Sequence, residues 1–117
     1  MDITSFETSK RLKAAGFPQP EKAPGQFWYD EHGKLCVIRE NQGMLTSVWL
    51  SAPMEASLNI VGIAMFYAAS ATDIMRHLPD GLPLQFQNGH FRLAGQKHNN
   101  PAEAAAAEYL QLRENEK

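Results

Sequence analysis

The chain has 117 residues, 44% of them hydrophobic, which is enough for one soluble globular domain and short for two. Eleven Lys and Arg against thirteen Asp and Glu give a net charge of −2, and the signs are interleaved along the chain, so the single-signed field of a strong nucleic-acid or anionic-membrane binder is absent. Cys36 is the only cysteine, which excludes an intrachain disulfide and fits a reducing compartment.

The N-terminal run MDITSFETSKRLKAAG places Asp2, Glu7, Lys10, Arg11 and Lys13 where a signal peptide needs an apolar core. The most apolar stretch, Ile60 to Ala69, is too short to span a bilayer. A cytoplasmic protein with no membrane partner is expected. Thr4 and Glu7 have capping-box spacing and predict a helix over residues 4–15. Gly16 is its natural stop, Phe17 falls where a hydrophobic cap contact belongs, and Pro18 forbids continuation.

FPQPEKAPG reads as a loop. Phe27–Tyr29 and Leu35–Ile38 flank DEHGK and predict a hairpin turning at Gly33, with Cys36 inside a strand. Between residues 41 and 72 the only charged side chain is Glu55, which marks a buried or interfacial stretch. MLTSVWL reads as a strand, SAPMEASLN as a loop, and IVGIAMFY as a central strand of continuous apolar character. A helix from Met54 to Ala69 is the competing reading of the same run.

Ser70 and Asp73 predict the start of a second helix over residues 71–78, ended by Pro79, with Ile74, Met75 and Leu78 facing inward. Asn88-Gly89, between Leu84–Gln87 and His90–Leu93, is a strong type I′ hairpin signal. In the last helix Asn100 caps, Pro101 takes the first position and Glu103 the third. Ala102, Ala105, Ala106, Tyr109, Leu110 and Leu112 form one broad stripe for docking on a sheet. Ala104 and Ala107 fall on the outer face, and Glu103, Glu108, Gln111 and Glu114 lie outside the stripe.

The expected fold is one α+β domain over residues 1–117: a mixed or antiparallel sheet of about six strands with three helices, in the order α-β-β-β-β-α-β-β-α. Helix, loop and hairpin recur in both halves, a weak echo of duplicated α-β-β units.

Three blocks carry a resemblance: Glu7 to Phe17 (ETSKRLKAAGF), Tyr67 to Pro79 (YAASATDIMRHLP) and Asn100 to Leu112 (NPAEAAAAEYLQL). In content and spacing they resemble small phage and prophage proteins of the Bacteroidales type. Ala69 stands where those proteins carry a proline, and His77 where they carry an aromatic residue. The resemblance implies a small α+β domain from a mobile genetic element. Its motifs are caps and core anchors, so it implies no particular activity.

Reactive chemistry has little support. Cys36 sits mid-strand, where cysteine is usually a small buried hydrophobe. There is no G-x-S-x-G, and Ser70 is accounted for as a helix cap. His32, His77, His90 and His98 are scattered over a turn, a helix end, a hairpin and a loop without ligand spacing; only His90 and His98 could meet. Phosphate-binding glycine motifs are missing, and Asp30-Glu31 are ordinary turn residues. No catalytic residue, metal or cofactor is expected.

For nucleic acid, Lys10, Arg11 and Lys13 offer a basic helix side, and Trp28 and Tyr29 could offer stacking faces. Glu7, Glu21 and Asp30 counter that charge, and strand alternation turns Trp28 or Tyr29 inward. The favoured expectation is a non-catalytic interaction module. Its partner is another protein or a second copy in a homodimer, bound through the uncharged stretch with Met44, Trp49, Met54 and Met65. A weak nucleic-acid-binding accessory protein is the alternative.

Overall fold

The computed structural model describes residues 2–50, 58–78, 85–87, 90–93 and 96–115. Over these described residues the fold is α+β, with three helices and antiparallel pairing of every strand pair among them. The chain divides into two compact units. One joins the termini, Met1–Phe17 with Ala69–Lys117; the other is the intervening Pro18–Ala68.

The intervening unit is a five-stranded sheet of β1 (Phe27–Tyr29), β2 (Leu35–Asn41), β3 (Met44–Trp49), β4 (Leu58–Ile60) and β5 (Phe66–Tyr67), in the order β4-β3-β2-β1-β5. The β1–β2 hairpin turns where expected, with Gly33 at φ 87°. β2 runs on to Asn41, and a two-residue turn at Gln42 (φ 52°) and Gly43 (φ 79°) leads into β3, with Asn41 opposite Met44. Positive φ at both turn positions suits the twist of the strands it joins.

IVGIAMFY is not one central strand. It ends β4, makes a 3₁₀ turn over Val61–Ile63, and becomes β5 at the opposite edge of the sheet. Only part of the apolar run is covered: Ala64 packs with buried Trp28 and Ile38, and Leu45 and Tyr67 close around them, while Met65 stays exposed. Of the helix alternative over 54–69, residues 54–57 lie outside the described residues and the rest forms no α-helix.

The terminal unit holds α1 (Phe6–Ala14), α2 (Ala71–Met75), α3 (Pro101–Asn115) and a three-stranded sheet of β6 (Gln85–Gln87), β7 (His90–Leu93) and β8 (Gln96–His98). The β6–β7 hairpin has the expected register, Gln87 opposite His90, while Asn88-Gly89 lie outside the described residues. β8 was not expected, and the strands divide between two sheets rather than forming one of about six. The α-β-β echo makes no structural repeat, since α1 and the first hairpin belong to different units.

Helix ends follow local chemistry closely. Ser5, not Thr4, caps α1 and accepts from the Thr8 N–H. Thr4 is buried instead, with its hydroxyl 2.7 Å from Ser9 Oγ and its N–H donating to the Ala69 carbonyl. At the other end Gly16 takes φ +91°, its N–H donates to Lys13 O, and the Phe17 N–H reaches Leu12 O at 2.9 Å. These are the two bonds of a Schellman stop. Phe17 is buried and meets His77 and Tyr109 edge-on, each at 5.2 Å. The Ser70–Asp73 capping box is present, with α2 ending at Met75.

α3 departs from the one-faced helix expected. Ala102, Ala105, Ala106, Tyr109 and Leu110 are buried as the stripe requires, but so are Ala104 and Glu108 on the face assigned to solvent. The helix touches α1, α2, β7 and β8, so it has neighbours on several sides. Alanine suits this position because its short side chain lets those neighbours approach from different directions.

Candidate functional site

Within the five-stranded unit a cleft of about 410 Å³ is lined by Asp30, Glu31, His32, Trp49, Ile63 and Met65, with Gly62 contributing no side chain. The β1–β2 turn supplies the polar end. β3 and the crossing segment supply the apolar wall.

Asp30 organises the polar end. Its Oδ1 accepts the backbone N–H groups of His32 (2.8 Å) and Lys34 (2.9 Å), an Asx-type turn. Its Oδ2 accepts the Trp49 indole N–H at 3.1 Å, which ties the turn to the end of β3. Burial by itself would push this carboxyl up. The Lys34 and His32 amides, the Trp49 indole and the nearby His32 together outweigh it and hold Asp30 below the ordinary 3.8. A buried side chain, 4% exposed, is thus kept ionised by hydrogen bonds. Beside it the exposed Glu31 lies 3.3 Å from His32 Nε2.

Behind the cleft Cys36 is fully buried, paired in register with Trp28 and Trp49. Burial first, and the Asp30 charge second, push its thiol up to about 11. Its Sγ lies 3.7 Å from Lys34 O. A thiol so placed stays protonated at neutral pH and packs as a core residue.

Trp28, a candidate stacking platform, is a core residue too: it is 3% exposed, donates its indole N–H to Gln26 Oε1 at 2.9 Å, and tilts against Tyr67. On α1, Glu7 pairs with Lys10 at 3.6 Å, while Arg11 and Lys13 are exposed. His32 is in a turn, His77 follows α2, and His98 stands opposite Phe91 rather than His90. Among the described residues no three of His, Cys, Asp and Glu gather closely enough to hold an ion. No helix among them is long and apolar enough to cross a membrane.

Of the expected interaction stretch, Met44 is 69% exposed at the β2–β3 turn, Leu50 is 46% exposed after β3, and Met65 is 38% exposed in the cleft wall. Trp49 is half-buried; Met54 lies outside the described residues. Sequence reading placed Asp30 in the turn, where it stands, and missed its burial and its bond to Trp49. An Asp two and four residues before amides of a tight D-x-x-G turn was a legible signal for the Asx turn, but nothing local announced Trp49 as its partner. Comparison with protein-family models, curated proteins and solved structures finds no match to this chain.

Proposed function

We propose that this chain is a non-catalytic protein-interaction module that works through its five-stranded unit, and that it derives from a phage or prophage. The observation that carries the reading is the exposure of Met44, Leu50 and Met65 on that unit, in a stretch almost without charge. Large flexible apolar side chains held in water have a free-energy cost that covering them removes. The polar groups nearby are engaged in turn and strand architecture, and the thiol is locked in the core. The origin rests on the three motif blocks around Gly16, Ser70 and Asn100. A lone buried thiol suits the reducing cytoplasm.

Self-association is the simplest form of this activity. Light scattering over a concentration series is expected to show a mass rising above 13.1 kDa. The double variant Met44→Ser/Leu50→Ser should remain a monomer throughout. A wild-type mass that stays monomeric at every concentration overturns the self-association form. A weak nucleic-acid-binding role is a second reading, supported by the exposed Arg11 and Lys13 on α1. It requires salt-dependent retention on a nucleic-acid column that Lys10→Ala/Arg11→Ala/Lys13→Ala abolishes.

A further inference from the structure

The cleft of the five-stranded unit combines two features that are usually apart. Its wall is apolar, made by Trp49, Ile63 and Met65. Its other end is anionic, with the Asp30 carboxylate held ionised and the exposed Glu31 beside it. No lysine or arginine is among the described residues that line it, though Lys34 stands close by, its Nζ 5.2 Å from the Trp49 ring centroid. We infer that the cleft receives an arginine side chain from a partner protein, with the guanidinium at Asp30 and Glu31 and the aliphatic stem along Trp49, Ile63 and Met65. This rests on the interaction-module reading and specifies the chemical group recognised.

Charge complementarity is the first support: the carboxylates at one end attract a cation, the indole face of Trp49 accepts one, and Ile63 and Met65 suit the aliphatic stem that carries it. Asp30 retains capacity for it, because Oδ2 accepts one hydrogen bond, from Trp49, and a carboxylate oxygen can accept two. Glu31 adds a second carboxylate at the rim, its Oε1 sharing the neighbourhood of His32 Nε2 at 3.3 Å. The Trp49 ring is already a cation acceptor, since Lys34 Nζ lies 5.2 Å from its centroid. Arginine fits better than lysine. Its guanidinium is more weakly hydrated, stacks on an indole and donates in a planar fork, whereas an ammonium gives up more hydration in an apolar cleft. The volume, about 410 Å³, lies in the range of pockets that enclose a small ligand group.

The test uses the full chain and two synthetic peptides, acetyl-Ala-Leu-Arg-Leu-Ala-amide and its counterpart with citrulline, the neutral isostere, in place of arginine. Binding is followed by ¹H–¹⁵N correlation spectra, with the Trp49 indole cross-peak assigned by its loss in Trp49→Phe. The arginine peptide should shift that cross-peak and the amides of Glu31, Gly62 and Met65 saturably, and the citrulline peptide should bind about tenfold more weakly. Glu31 is exposed, so Glu31→Gln should fold normally. It should weaken the arginine peptide about fivefold and leave the citrulline peptide unchanged. Equal affinity for the two peptides overturns the inference, as do unmoved cross-peaks at millimolar peptide. A flat titration by a chain whose mass still rises with concentration removes the arginine site and leaves the module reading standing. Saturable, charge-dependent binding by a chain that stays monomeric supports the site and removes only self-association.

Discussion

Asp30 shows how much one side chain can do in a small sheet. Its two oxygens accept three N–H groups, two from its own turn and one from Trp49. Its folded pKa is depressed, so its contribution to stability is complete above the ordinary 3.8 and is lost as pH falls through the lower folded value. Denaturant midpoints should therefore drop between about pH 5 and pH 2, and Asp30→Asn should flatten that segment while costing about 2 kcal/mol at neutral pH. A wild-type curve unchanged over that interval would show that the three bonds are not made. Thr46 is the opposite case: its buried hydroxyl has no hydrogen-bond partner among the described residues. Thr46→Val keeps the shape and strand preference and removes the unsatisfied group, so it should raise stability by about 1 kcal/mol, read from urea unfolding.

At the scale of elements, α3 is the centre of the terminal unit. Its first turn holds α1 directly: Glu103 Oε1 accepts the Ser5 N–H and Oε2 the Thr8 hydroxyl, both at 2.7 Å. Asn100 caps the helix through the Ala102 N–H and donates to Ile3 O at 2.9 Å. Charge-assisted bonds of this kind join two helix starts far apart in the chain. Glu103→Ala should cost about 2 kcal/mol in thermal or urea unfolding, with Glu103→Gln intermediate. Further along, Ala104 marks the face that looked solvent-exposed in sequence and is fully buried. Ala104→Leu would be neutral on an open face. Here it should overpack the unit and destabilise it by about 1–3 kcal/mol. Circular dichroism melts of this variant beside Gln111→Leu, at an exposed position of the same helix, separate the two cases.

At the scale of the whole chain, segments far apart in sequence form one unit. Residues before Pro18 and after Ala68 make one unit, and the five-stranded sheet is built entirely from the segment between. The closure is explicit in the Thr4 N–H to Ala69 carbonyl bond, the Ile3–Ser70 bridge and the packing of α1 on α3. Deleting residues 1–17 should thus strip α3 of partners contributed from the far end of the sequence. Most of the far-UV helical signal should disappear, although the α3 sequence itself is intact, because an isolated helix of this length is marginal in water. Retention of that signal would mean that α3 is stable without α1.

What the sequence determined by itself was punctuation. The Gly16 stop, the Ser70–Asp73 box, the Asn100-Pro101 start and the Gly33 turn stand where residue chemistry put them, because each is settled among atoms a few residues apart. Even the α1 cap erred by a single residue, when Thr4 was drawn into a bond with Ala69. Tertiary structure alone decided which sides of α3 are covered, how IVGIAMFY divides between opposite sheet edges, and that Asp30 bonds to Trp49. Those outcomes depend on neighbours distant in sequence. An apolar run says that it will be covered and an aspartate that it will accept hydrogen bonds, but only the folded chain chooses the cover and the donor.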